Sequence, residues 1–173
     1  MITVDMEWIL ENAGVPLNII PEITYQTERF PDIRREEMDE LFQLHWKEIA
    51  LDQEKIKLSV DYDSYAALDA MGKLHIATVR IGGKLIGYHC AIVNSHLHYK
   101  DDLFACSDVY FLLKEYRKGR TGIKLFQFSE KSLKSMGVKK IVMNTKLYLD
   151  QSRLFEHLGY RETERIWTKF IGD

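Results

Sequence analysis

The stretch EYRKGRTGIKLFQFSE, residues 115–130, sets Arg117, Lys118, Arg120 and Lys124 around Gly119 and Gly122 where one periodicity gives way to another. Before it, the run LFACSDVYFLL (103–113) has the β-branched and aromatic character of a strand. Within it, Gly122, Leu125, Phe126, Ser129, Leu133 and Met136 fall at helical spacing, with Lys124, Gln127, Lys131 and Lys134 opposite. That stripe predicts a helix of about four turns ending at Gly137 and packing one face on a sheet. A strand that passes through a glycine turn into a helix leaves backbone N–H groups unpartnered at the helix start. Those donors and the helix dipole favour an anion there, and glycine lets it approach closely. A phosphate or pyrophosphate is the expected ligand, with Arg117, Lys118 and Arg120 adding charge-assisted bonds. RKGRTGIK is neither a Walker loop nor a dinucleotide fingerprint.

The rest of the chain frames this turn. KLHIATVRI, a Gly82-Gly83 turn and KLIGYHCAIV read as a hairpin, and LFACSDVYFLL continues it into an antiparallel meander after the polar NSHLHYKDD. Upstream, Met38, Leu41, Phe42, His45 and Ile49 share the stripe of a helix over 34–49, and a second helix spans 62–71 with Gly72 closing it. His45 on that stripe is read as a bonded core histidine. An amphipathic start and an edge strand in LNIIPEITYQTER, interrupted by Pro21, precede them. Downstream come a short buried strand, KKIVMNT, a helix, DQSRLFEHLG, and a closing strand, YRETERIWTKFI. The fold class is α/β (α+β), in one domain over 1–173.

Composition narrows the functional classes. With 173 residues, 46% of them apolar, the chain can bury a core. A net charge of -2 gives no general reason to expect nucleic-acid binding. Cys90 and Cys106 are far from a Cys-x-x-Cys spacing, and the acidic N-terminus lacks a secretory pattern. The expectation is a cytoplasmic domain with no membrane span. His96 and His98 share a face if their segment is extended, but no third metal ligand stands near, so no metal site is expected. Trp8, Trp46 and Trp167 are read as packing residues.

The order of elements and the segment YFLLKEYRKGRTG resemble the Gcn5-related N-acetyltransferase (GNAT) superfamily, whose pyrophosphate signature is Gln/Arg-x-x-Gly-x-Gly/Ala. Arg117 takes the first position and Gly122 the last; Arg120 stands at the usual middle glycine, and Lys114 replaces a common proline. LFEHLGY resembles the family's Leu-Tyr-x-Lys-x-Gly-Phe/Tyr element. The resemblance covers roughly residue 17 to the end, and the YRKGRTG turn resembles short members from tailed bacteriophages. It implies a GNAT-type fold, acetyl-CoA as cosubstrate and an N-acetyltransferase acting on a small-molecule or peptide amine, in a chain that can form a homodimer. Pyrophosphate is then expected on the amides of Lys118, Gly119, Arg120, Thr121, Gly122 and Ile123. The pantetheine arm is expected between strands ending near Leu112 and Asn144, bonded by the backbone of Phe111, Leu112 and Leu113.

The family often carries an acidic base on the strand before the turn, which makes Asp108, in phase with Tyr110 and Leu112, the expected base. The family's acid, a tyrosine in the late helix, is Phe155 here, so either Tyr148 or Tyr160 substitutes, the thiolate leaves unassisted, or there is no catalysis. LDQEKIK (51–57) lies where the family shapes its acceptor pocket. Phe155 and Arg120 support a second expectation, a GNAT-fold binding or assembly protein without turnover.

Overall fold

The computed structural model describes residues 21–172. In chain order they form β1 (Ile23–Thr27), a 3-10 turn (Phe30–Asp32), α1 (Arg35–Ile49), α2 (Tyr62–Ala70), β2 (Leu74–Ile81), β3 (Lys84–His96) and β4 (Tyr99–Leu112). A second 3-10 turn (Lys114–Tyr116), α3 (Thr121–Ser135), β5 (Val138–Val142) and α4 (Ser152–His157) follow. The chain divides into two compact units, one through Met143 and one from Asn144. The amphipathic start, Trp8 and residues 17–20 of the expected edge strand lie outside the described residues.

The first unit is a sheet ordered β1-β2-β3-β4-β5, antiparallel except for the parallel β4/β5 pair. Gly82 and Gly83 both take positive φ, +54° and +84°, which the tight β2–β3 turn requires. Each face of the sheet carries its own helices. On one, Met38, Leu41 and Phe42 of α1 pack with Ile76, Leu85, Tyr88, Cys90 and Phe111. On the other, Leu125 of α3 meets Ala77, Val79, Ile86 and Leu112, while Leu133 meets Ala91, Val93 and Ala105. Burial on both faces explains why β2 is a continuous buried run over 74–79 instead of an alternating one. Full burial of each large side chain contributes about 1.5–3 kcal/mol.

His45 is the bonded core histidine its stripe implied, its Nδ1 lying 2.8 Å from the Tyr88 hydroxyl. Arg80 pins β2 to α1 by bonding both Glu28 and Glu37. No helix among the described residues is long and apolar enough to cross a membrane.

Two differences from the sequence reading have physical causes. The polar segment 94–102 is no loop: β3 runs on to His96 and β4 starts at Tyr99, because cross-strand pairing such as Ser95↔Leu103 continues the ladder where side chains are exposed. The closing strand over 160–171 is not formed. Residues 161–172 enter no ladder among the described residues, and a strand is defined by the ladder that satisfies its backbone. Trp167, expected to pack, is 89% exposed there.

Candidate functional site

The parallel ladder between β4 and β5 ends at Cys106↔Val142, while β4 continues through Leu112. Beyond Cys106, β4 runs on past the end of its ladder with β5 among the described residues. The Leu113 N–H donates to the Ile86 carbonyl at 2.9 Å, which fixes the phase of the antiparallel ladder. Alternation then turns the backbone groups of Phe111 and Leu113 toward β3, and those of Leu112 and Tyr110 away from it. Of the three positions expected to bond pantetheine, only Leu112 turns its backbone away from β3. Tyr110 joins it, which the sequence reading missed.

At the end of this strand sits the glycine turn. Gly119 has φ +81°, a left-handed conformation that reverses the chain into α3 at little cost for glycine alone. Arg120 is the N-cap, without a side-chain cap, and its carbonyl accepts from Lys124 N–H at 2.9 Å. The N–H groups of Thr121, Gly122 and Ile123 have no acceptor among the described residues. The Tyr25 hydroxyl holds the start of the helix by donating to the Thr121 carbonyl. Gly122 has no positive φ, and a Cβ built on it would meet only Leu112 Cδ2, at 3.8 Å. Neither backbone strain nor internal packing demands a glycine there.

The cations around the turn divide into two sets. Lys118 and Arg120 are exposed and enter no ion pair among the described residues, so both can reach an anion at the amides. Arg117, expected as a third phosphate ligand, is turned inward. Its Nη1 and Nη2 bond both carboxylate oxygens of Glu48 at 2.5 and 2.8 Å, and its Nε donates to the Leu112 carbonyl at 2.7 Å. All three guanidinium nitrogens are committed within the protein. Glu48, 14% exposed on the last turn of α1, explains the choice, because a carboxylate there needs a cation. Bonding from Arg117 holds its carboxyl below the usual range.

Arg117 is therefore a clamp between α1 and the end of β4. In a double-mutant cycle, Glu48→Gln and Arg117→Ala should each cost about 1–2 kcal/mol of stability, with strong coupling between them. Chemical denaturation checks this; additive losses would contradict the clamp.

Asp108 sits in a β-bulge. Cys90 pairs with Val109 and Ala91 with Ser107, leaving Asp108 as the extra residue of β4. The bulge changes its face. Ser107 bonds His89 beside Ser129 of α3, and Tyr110 packs on Phe126, so both look toward α3. Asp108 looks the other way: its Oδ2 accepts the Tyr65 hydroxyl of α2 at 2.8 Å. The expected phase with Tyr110 and Leu112 is thus corrected. Burial pushes the Tyr65 phenol well above its ordinary value, so it stays a donor and leaves Oδ1 of an exposed carboxylate for another proton.

No protein-family model and no curated protein matches the sequence. Solved structures do. A ribosomal-protein-alanine N-acetyltransferase from Brucella melitensis biovar Abortus 2308 aligns with TM-score 0.65 and 14% identity over 87% of this chain and 100% of that one. A transcriptional regulator from Bacillus halodurans C-125 aligns with TM-score 0.69 and 14% identity, again over 87% and 100%. An aminoglycoside N-acetyltransferase in complex with CoA gives 0.61 and 15% over 87% and 95%. The chain has the GNAT fold.

In this GNAT-fold chain the remaining expected site residues fall in the second compact unit. Asn144 is its first residue. Tyr148 is 54% exposed in a turn closed by the Lys146↔Leu149 bridge. Tyr160 follows α4, its N–H bonded to the Phe155 carbonyl at 2.9 Å and its ring 5.8 Å from that of the buried Phe155. Elsewhere, the His98 N–H bonds His96 Nδ1 at 3.1 Å, and no group of three metal-ligating side chains assembles among the described residues. Leu51 and Ile56 of the segment expected to shape an acceptor pocket are each 54% exposed.

Proposed function

We propose that the chain is an N-acetyltransferase that moves the acetyl group of acetyl-CoA to an amine. The observation that carries this reading is the row of amides at Thr121, Gly122 and Ile123, without acceptors among the described residues and flanked by the exposed Lys118 and Arg120, just after the end of β4. A pyrophosphate satisfies the amides and both cations. The amide-bearing pantetheine arm suits the stretch of β4 beyond its ladder with β5, bonding the backbone N–H of Leu112 as an added strand would. The acetyl-transferring neighbours, one of them solved with CoA, support the same assignment.

In the reaction, the neutral amine attacks the thioester carbonyl, its proton passes to a base, and the thiolate of CoA departs. Asp108 is the residue we assign as base, through the oxygen that Tyr65 leaves free. Tyr148 and Tyr160 are the phenols assigned to protonate the thiolate, since the ring of Phe155 cannot. Asp108→Asn should lower kcat by about 100-fold or more and leave the affinity for acetyl-CoA unchanged. Thiol release would be followed against aminoglycosides, polyamines, amino acids and peptide N-termini, with acetyl-CoA binding measured in parallel. Equal loss of binding and turnover would return Asp108 to a structural role.

Phe155, together with Arg120 at the usual middle glycine, favours a second reading, a GNAT-fold binding or assembly protein without turnover. Tight CoA binding with no thiol release across the panel would decide for it.

A further inference from the structure

The two faces of the sheet carry helices of opposite charge. On one, α1 holds Glu36, Glu37, Asp39, Glu40 and Glu48 against Arg35 and Lys47. On the other, residues 118–134 hold five cations and one carboxylate, in a chain whose net charge of -2 averages the two away. Every exposed position from 120 to 134 belongs to one row: Arg120, Lys124, Gln127, Lys131 and Lys134. Steps of four and three residues keep the row in line over about 21 Å, opposite the buried Leu125, Phe126, Ser129 and Leu133. Lys124, Lys131 and Lys134 enter no ion pair among the described residues. Glu130, the one carboxylate, is half-buried with its Oε1 out of solvent.

The row does not serve the helix. Like charges three or four residues apart destabilise it, and cations at its start oppose the dipole. Nor does a pyrophosphate on the first-turn amides account for the whole row, since Lys131 and Lys134 lie about 14 and 18 Å along the axis from Gly122. A protein partner is a poor match: stable protein interfaces are anchored by aromatic groups and depleted in lysine, and the row offers no apolar side chain. A single nucleic-acid strand is also a poor match, because aromatic stacking holds it. A double helix fits. It presents about six phosphates per strand over 21 Å, and lysines neutralise them without an apolar anchor.

We propose that the outward face of α3 docks on the phosphate backbone of a double-helical nucleic acid, through Lys124, Lys131 and Lys134 with Arg120 at the end of the row. Phosphate contacts fix position without reading sequence, so the binding is independent of sequence. Gln127 adds a neutral donor between the cations. The dissociation constant is expected at about 1 to 100 μM at physiological salt, with a steep salt dependence, because each neutralised phosphate releases counterions. The proposal stands whether or not the helix start takes acetyl-CoA.

The test is fluorescence anisotropy of the full-length protein with a labelled duplex of mixed sequence, as RNA and as DNA, over a range of salt. Wild type should bind at least one of them, with the logarithm of the binding constant falling against that of salt at a slope of about -3 to -4. Lys131→Gln with Lys134→Gln should make the slope shallower by about 2, and adding Lys124→Gln by about 3 in all, with low-salt affinity reduced at least about tenfold. Lys47→Gln, Lys73→Gln and Lys84→Gln together change the net charge equally at exposed positions elsewhere, and should leave binding as in wild type. Thermal melting at the wild-type midpoint would confirm that each variant folds. Binding of neither duplex, or equal losses in the α3 and control triples, would overturn the proposal. Displacement by polyglutamate as effective, charge for charge, as displacement by unlabelled duplex would overturn it as well, by making the face a site for acidic protein.

Discussion

Gly122→Leu should fold like the parent protein and lose acetyl-CoA, its dissociation constant rising at least about 100-fold, the equivalent of roughly 2.7 kcal/mol. The size follows from what the side chain would displace. On a helix the Cα–Cβ bond leans toward the N-terminus, so a leucine at this position projects over the amides of the first turn. Loss of two anion-accepting N–H bonds at about 1.5 kcal/mol each accounts for the change. Gly122→Ala is the control: its Cβ would make an ordinary 3.8 Å contact with Leu112, and stability and binding should both survive. Calorimetry and thermal denaturation on the two variants separate a blocked site from a damaged fold. Normal affinity in the leucine variant would mean that the helix start holds no phosphate.

Stability should fall steeply between pH 6.5 and 5, by about 2 kcal/mol for each of two histidines. His75 and His89 are each 1% exposed between the sheet and α3. His89 is bracketed by the hydroxyls of Ser129 at 2.7 Å and Ser107 at 3.2 Å, while His75 Nε2 meets the Ser132 hydroxyl at 3.0 Å and its buried Nδ1 has no partner. Burial holds both below the ordinary histidine value, His75 at about 4 and His89 at about 3. The unfolded chain therefore binds more protons than the folded one once the pH drops through about 6.5, and folding stability is lost as pH falls. Glu37, bonded to Arg34 and Arg80 and held down to about 2, begins to contribute only below about 4.5, outside this window. Urea midpoints at pH 6.5 and 5 measure the effect, and His89→Gln should remove about half of it. A flat profile across that interval would contradict neutral, buried imidazoles.

How much of this could be read from the chain depended on whether the signal was local. The stripe of α1 and the one running from Gly122 to Leu133 are consequences of a 3.6-residue period, and both helices lie where that period put them. The glycine pair at 82–83 announced its hairpin for the same reason. Bulges carry no such mark. Asp108 looked in phase with Tyr110 because alternation was counted through a residue that has no partner on β3, and one extra residue is enough to change the face. The Arg117–Glu48 clamp joins residues 69 apart, and a carboxylate on a helix rich in them gave no sign of reaching the turn. The tail failed differently. Its composition is that of a strand, but a ladder needs a partner, and composition does not say where the partner is.

Acetyl-CoA is expected at the start of α3 and along β4 beyond the end of its ladder with β5. Isothermal titration of acetyl-CoA into the wild-type protein tests it most directly. Saturable binding at one site per chain is expected, weakened by added salt as the pairing of phosphates with Lys118 and Arg120 is screened. Absence of heat and of any protection against thermal unfolding at saturating acetyl-CoA would contradict it.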